Sequence, residues 1–314
     1  MQNLHLESTG MSKDFEHLYK VYLGNTGNSV KVRPIYKFLF RHAEENGWFN
    51  KDYNVQDEFL EYYPKWITTS KTCKVTGLDT FPYRFVSLGV TQTLDWFHLE
   101  CARNGWRMRL LRGEYPYNRD VFDFEDYIDD EPLCPGDAVI ISLPFSGNGD
   151  KHPAYEEVLE TCDKLDIPVM IDCAWFGTCY DIDFNLDYDC IKLVAFSTTK
   201  GLQTGNWRSG ICFSKWNHGS LSVQTEWYHG IHMNTYVGLL LMKEFSPDFA
   251  PDLYKEKQKE VCEYFGLQPS KTIHIATGDE QWEYFSRDKA YNRINLRLPL
   301  FDHLQGDFLE KVKQ

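Results

Sequence analysis

The sequence predicts an α/β protein built on a mainly parallel sheet, with a smaller α+β domain beside it. Three observations predict it. Short apolar runs of strand length alternate with amphipathic segments through the middle of the chain. Polar residues collect just past the ends of several of those runs, where open α/β sheets bind their ligands. From about Phe245 onward the pattern gives way to a charged helical stretch and a pair of short strands.

Taken in order, Phe85–Leu88 reads as a short strand and Thr91–Arg103 as the helix after it. Ala138–Leu143 (AVIISL) is an apolar run of buried-strand length. Pro153 suits the first turn of a helix, and behind it Tyr155, Val158, Leu159, Cys162 and Leu165 recur at helical spacing. Ile167–Ile171 is a strand ending at Asp172, Ile191–Phe196 a strand ending at Ser197, and Arg208–Phe213 a further strand. Tyr254–Tyr264 reads as a helix, followed by strands near Thr272–Ala276 and Arg293–Leu298. The resulting division is a large domain over residues 46–245 and a small one made of 1–45 and 246–314.

Composition narrows the function. The chain has 314 residues, 42% of them hydrophobic, enough for a sizeable core. Its net charge of −13 argues against general nucleic-acid binding, which needs a basic face to displace counterions. The apolar run Val237–Met242 falls far short of the roughly 20 residues that span a bilayer. No apolar signal-like segment opens the sequence, and the nine cysteines form no C-x-x-C pair. With no H-E-x-x-H spacing either, the expectation is a cytoplasmic enzyme in a reducing compartment, with no metal, nucleic acid or membrane among its partners.

The chemistry concentrates in Ser197-Thr198-Thr199-Lys200-Gly201, with Arg208 eight residues after the lysine and Asp172 closing the strand upstream. A desolvated, cation-flanked lysine is a competent nucleophile. A guanidinium holds a phosphate through a planar fork. Gly89-Val90-Thr91, at a strand-to-helix turn, offers backbone amides and a hydroxyl to an anion at a helix N-terminus.

A strand ending in Asp, a strand ending in S-x-x-K and this arginine resemble the fold-type I pyridoxal-phosphate (PLP) enzymes, and among them the class I/II aminotransferases. The motif support runs from about Arg84 to Phe213. The resemblance implies the PLP-dependent transferase fold and a cofactor, pyridoxal 5′-phosphate, held as an aldimine on Lys200. It implies Asp172 as the partner of the pyridine nitrogen, and Gly89, Val90, Thr91, Ser197 and Arg208 as the phosphate site. Tyr115 is implied as the ring-stacking aromatic, with Tyr117 in reserve. Tyr291-Asn292-Arg293-Ile294 matches the family's substrate-carboxylate arginine at Arg293, with Arg297 as the second candidate. Gly24 matches the glycine segment over the substrate, and Tyr53 the tyrosine that reaches a neighbouring subunit's phosphate.

Two positions depart from the family pattern. Ser146 stands where an Asn-Pro-x-Gly turn supplies asparagine, and Trp175 stands where a tyrosine follows the aspartate. Both sit next to the cofactor's phenolic oxygen in the family, so the departure bears on reaction class more than on cofactor. The resemblance implies transamination between an amino acid or related primary amine and a 2-oxo acid, in a homodimer. A PLP-dependent decarboxylase, lyase or aminomutase is the alternative on the same fold. A degenerate, non-catalytic member is the third reading, opposed by retention of lysine, aspartate and arginine together.

Overall fold

The computed structural model describes residues 32–46, 55–122, 126–228 and 232–303. Gly24 and Tyr53 lie outside these residues. Among the described residues two helices come first, α1 (Arg33–Asn46) and α2 (Val55–Thr68). The chain continues through β1 (Lys74–Thr76), β2 (Tyr83–Ser87), α3 (Val90–Asn104), β3 (Arg107–Arg109) and α4 (Tyr117–Phe122). Then come β4 (Asp137–Ser142), α5 (Tyr155–Leu165), β5 (Val169–Cys173), β6 (Asp183–Asn185), β7 (Ile191–Ser197), the one-turn α6 (Thr198–Gly201) and β8 (Gly210–Ser214). Helices α7 (Ser220–Glu226), α8 (His232–Glu244) and α9 (Phe249–Phe265) lead to β9 (Gln268–Pro269), β10 (Ile275–Thr277), β11 (Ser286–Arg287), β12 (Tyr291–Asn295) and α10 (Arg297–His303).

Six strands form the main sheet in the order β2-β8-β7-β5-β4-β3. β3, β4, β5 and β7 are parallel, and β8 runs antiparallel to both of its neighbours. The central strands are apolar at nearly every position because both faces of the sheet are covered. Alternation along each strand sorts the side chains between two cores. Val139, Ile141, Ile171, Val194 and Phe196 join the large core that includes α2, α5 and α8. Ala138, Ile140, Met170, Leu193 and Ala195 point the other way, against Val90, Leu94, Phe97 and Cys101 of α3. Those four recur at helical spacing, and α3 stops at Gly105, whose left-handed backbone (φ 69°) returns its amide to Cys101.

The same period of two places the polar strand ends. Ser142, Asp172 and Ser197 each follow by two residues a side chain of the α3-facing core (Ile140, Met170, Ala195). All three therefore emerge beneath the N-terminus of α3, at the C-terminal edge of the parallel strands. Across from that edge, β11-β12-β10-β9 form an antiparallel sheet of four strands.

Several boundaries differ from the sequence reading. Pro153 lies two residues before the first residue of its helix, in the turn closed by Tyr155 N–H donating to His152 O (3.0 Å), where its fixed φ is equally at home. The strand expected from Arg208 begins at Gly210, since Arg208 turns aside to the α3 N-terminus. The final strand ends at Asn295, whose Oδ1 accepts from Arg297 N–H (2.9 Å) and starts α10. The Val237–Met242 run is part of α8, and no described helix is long and apolar enough to cross a membrane.

Candidate active site

One end of the cavity at this sheet edge is built for an anion. Gly89 precedes α3 with φ 75° and ψ −170°, a conformation essentially restricted to glycine. A Cβ there would lie 3.3 Å from Arg208 Nη2, 3.3 Å from Ser197 Oγ and 3.4 Å from Thr199 Oγ1. Arg208 is fixed by donating from Nη2 to Thr91 Oγ1 (2.6 Å) and from Nε to Leu88 O (3.1 Å). Ser197 caps α6, accepting from Thr199 N–H (3.1 Å) and donating to Thr199 Oγ1 (2.7 Å). A guanidinium, three hydroxyls and the first amides of a fifteen-residue helix thus surround one point. This is the chemistry of a phosphate-monoester site.

Asp172 and Lys200 face the middle of the cavity. Asp172 is 5% exposed, and its Oδ1 accepts from Ala174 N–H (2.7 Å). Burial pushes its pKa up to about 7, against the Ala174 hydrogen bond, which favours the carboxylate. Lys200 is half-buried on α6 and forms no ion pair among the described residues. Burial, and then the charge of Arg208, hold its amine below the ordinary lysine range, while Asp172 pulls the other way. A buried acid with a raised pKa, sharing a cavity with an amine whose pKa is lowered, is an arrangement that suits a bound heteroaromatic cation and a carbonyl.

The far wall comes from the Ser146 turn and from β11 and β12. Arg293, 1% exposed, donates to Ser146 O (3.0 Å) and lies 5.7 Å from the Trp175 ring. Its pKa falls to about 9 because it is buried and stands near Arg287. Arg287 donates to Ser146 Oγ at 3.3 Å. Trp175 packs edge-on against His274 (5.3 Å, 82°), a fully buried histidine whose ring nitrogens have no hydrogen-bond partner among the described residues. Burial, with Lys200 and Arg293 adding to it, holds His274 well below its ordinary pKa and so neutral.

Tyr115 reaches the cavity, half exposed, with Tyr117 stacked behind it (5.8 Å, 10°). Tyr117 itself donates to Asp95 Oδ1 (2.7 Å) and does not line the cavity. Buried Glu114 anchors this loop. It accepts from Tyr115 N–H (2.7 Å), Ser142 N–H (2.7 Å) and Ser142 Oγ (2.5 Å). Ser142 Oγ in turn accepts from Ser146 N–H (2.8 Å), so one chain of hydrogen bonds ties Tyr115 to Ser146.

The cavity therefore gathers Val90, Thr91, Tyr115, Ser146, Asp172, Trp175, Ser197, Lys200, Arg208 and Arg293, with Gly89 at its rim. Arg297 is absent from the lining. Thr199, Arg287 and Glu114 were not singled out in the sequence. Thr199 had a signal, a hydroxyl inside the same S-T-T-K tetrad. Arg287 and Glu114 had none, for each lies in a charged loop-like stretch that reads as surface.

The sequence matches no protein-family model and no curated protein. Solved structures do match over nearly the whole chain. Alanine aminotransferase from Pyrococcus furiosus superposes with a TM-score of 0.63, 10% identity and coverage of 95% of this chain and 93% of that one. Aspartate aminotransferase from Thermotoga maritima gives 0.59, 14% identity and coverage of 98% and 100%. The PLP-bound C-S lyase from Staphylococcus hominis gives 0.62, 9% identity and coverage of 100% and 96%. The chain has the type I PLP-enzyme fold. Within the type I fold, the cavity lies where the parallel strands end, and its residues fit PLP. The Gly89 cradle suits the phosphate, and Asp172, whose pKa burial raises, suits a pyridinium N–H.

Proposed function

We propose that the chain is a PLP-dependent aminotransferase acting on an amino acid or related primary amine and a 2-oxo acid. The observation that carries this reading is the convergence of Lys200 and buried Asp172 on one cavity whose end is the Gly89–Arg208 anion cradle. When bound, the cofactor supplies an electron sink that makes the bonds to substrate Cα labile.

The remaining work falls to this chain's side chains. Arg208 and the hydroxyls of Thr91, Ser197 and Thr199 hold the phosphate, with the amides of Val90 and Thr91 at the positive end of α3. Asp172 would accept from the pyridine N–H, a cation that favours its carboxylate form. Tyr115, Trp175 and Ser146, which line the same cavity, would bound the ring. Burial and then Arg208 hold the Lys200 amine below the ordinary lysine range, which would suit it to hold the cofactor's aldehyde carbon. The same amine, lining the cavity, would take up and return the proton at substrate Cα. Arg293 grips the substrate α-carboxylate, which orients the Cα bond to be broken.

The proposal includes a homodimer in the cytoplasm, with a large domain over 46–245 and a small one from 1–45 and 246–314. Exposed Val223, Trp227 and Tyr228 on and after α7, which hydrogen-bonds to the start of α3 through Gln224 and Gln92, support a subunit contact beside the cavity. Arg287 already donates to the Ser146 hydroxyl, which gives the cofactor's ring oxygen an unusual neighbourhood and favours a lyase or decarboxylase as the second reading.

Absorbance of the purified chain with PLP, before and after borohydride, followed by peptide sequencing, tests the cofactor and Lys200. Mixing with amino acids then separates the reactions. Conversion to the amine form of the cofactor, reversed by a 2-oxo acid, is the expected result. Steady release of carbon dioxide or ammonia without that conversion would establish the second reading.

A further inference from the structure

Two buried thiols touch behind the cavity, and neither takes part in the proposed reaction. Cys73, in the linker from α2 to β1, and Cys179, in the turn after β5, hold their sulfurs 3.8 Å apart across 106 positions of sequence. That is van der Waals contact, and a covalent bond needs each sulfur to move by only about 1 Å.

The fold secures both segments to one helix. Asp248, just before α9, accepts from Ser70 Oγ (2.6 Å) and Lys71 N–H (2.6 Å), and Ser70 Oγ accepts from Cys73 N–H (2.9 Å). On the other side, Tyr180 Oη donates to Gln258 Oε1 of α9 (3.1 Å), and Tyr180 N–H donates to Lys271 O (3.0 Å). Cys179 itself pairs in a β-bridge with Thr272, whose carbonyl accepts from Gln258 Nε2 (3.0 Å). The two sulfurs are thus held together from both sides by hydrogen-bonded backbone.

They are not equivalent. The Cys179 thiol, and after it the Ile182 amide and the Thr72 hydroxyl (3.9 Å), hold the Cys73 pKa below the ordinary thiol value against burial. Burial pushes Cys179 well above it. Cys73 also lies between exposed Lys71 and Lys74, whereas the residues on either side of Cys179 are buried. A thiolate nearer the surface with a protonated thiol behind it is the pairing of an attacking and a resolving cysteine.

We infer that Cys73 and Cys179 form a redox modification site, oxidised to a disulfide by a hydroperoxide. The Cys73 thiolate attacks a peroxide oxygen, the O–O bond breaks, and a sulfenic acid and an alcohol or water result. The Cys179 sulfur then displaces the sulfenic oxygen, which takes the Cys179 proton and leaves as water. Two thiols lose two electrons, and the hydroperoxide gains them. The bridge closes the 106-position loop and pins the turn in which Thr178 donates to Trp175 O through its amide (2.9 Å) and its hydroxyl (2.8 Å). It locks one wall of the cavity and stabilises the fold.

The test treats the full chain with hydrogen peroxide until exposed Cys134 is oxidised, alkylates the remaining thiols and maps the tryptic peptides. A cross-link between residues 72–74 and 165–192 is expected, assigned by fragmentation to Cys179 and not to Cys173 or Cys190. Dithiothreitol reverses it. The thermal midpoint rises by several degrees on oxidation and returns on reduction. In Cys179→Ser, dimedone traps a sulfenic acid on Cys73. In Cys73→Ser it leaves Cys179 unlabelled, and neither variant shows the thermal shift. The wild-type map decides the matter even where a variant fails to fold. Oxidised Cys134 with Cys73 and Cys179 both still alkylated overturns the inference, as does a cross-link that appears only in urea. A midpoint unchanged or lowered by the bridge overturns the lock, and equal labelling of Cys179 in Cys73→Ser overturns the choice of attacking sulfur.

Discussion

Replacing Asp172 with Asn should raise the stability of the cofactor-free chain and lower its affinity for PLP. The two effects have one origin. Asp172 is buried at the end of β5, and its pKa in the fold is about 7 against an ordinary 3.8. Because the folded chain favours the protonated acid, the contribution to stability is full below pH 3.8. It falls as pH rises through the interval to about 7 and stays low beyond it. At about 1.4 kcal/mol per pH unit the loss is on the order of 4 kcal/mol. Asn keeps an oxygen for Ala174 N–H (2.7 Å in the wild type) and cannot ionise, so it removes the loss without removing the turn. Urea unfolding at pH 5 and pH 8, without cofactor, is the assay. Wild type should weaken between the two conditions, and Asp172→Asn should change much less and be the more stable at pH 8. Titration with PLP should show the reverse order, with Asp172→Asn binding about 10- to 100-fold more weakly for loss of a charge-assisted hydrogen bond. A variant destabilised equally at both pH values would refute the reasoning, because Asp172 would then act as a turn former alone. Unchanged affinity for PLP would refute the assignment of its partner.

Gly89→Ala forces a Cβ into the space 3.3 Å from Arg208 and Ser197 at a backbone conformation alanine avoids. It should cost about 1–3 kcal/mol in thermal or urea unfolding and weaken inorganic-phosphate and PLP binding together. Lys200→Ala should abolish the borohydride-fixed peptide while leaving phosphate binding in place, as read by peptide mapping and calorimetry. In the wild type, the depressed amine pKa means that covalent attachment of PLP should persist to lower pH than with a free lysine side chain, followed by absorbance against pH. Glu114→Ala leaves the amides of Tyr115 and Ser142 without their acceptor. It should lower stability by about 1–3 kcal/mol in urea unfolding, a loss that Glu114→Gln recovers in part.

Much of the site was legible before any coordinates. Asp172, Ser197 and Lys200 sit at or just past the ends of apolar runs, and in a parallel sheet such ends share one edge whatever the details of packing. The alternation of side chains along β4, β5 and β7 then sends Ser142, Asp172 and Ser197 to one face, so local periodicity carries positional information over long separations. Arg208 and Gly89 were legible for a related reason, since a residue set by spacing from a strand end moves with that end. Element boundaries shifted by a few residues. The final strand stops where Asn295 binds the amide of Arg297, and α5 begins only after the turn that holds Pro153.

The far wall was decided only by tertiary packing. Arg287 meets Ser146 across 141 positions of sequence, and Arg293 meets it across 147, through a hairpin of the smaller sheet laid over the edge of the larger one. Nothing in the charged stretch around Arg287 distinguishes a guanidinium that will be buried in a cavity wall from one that will lie in water. The difference is set by which acids the fold has already occupied, Asp288 by Arg119 and Glu114 by Ser142, and occupancy of that kind is a property of the assembled structure. The residues along one strand are ordered by backbone geometry, which the sequence carries. Which charges remain unanswered depends on every surface that folding brings together.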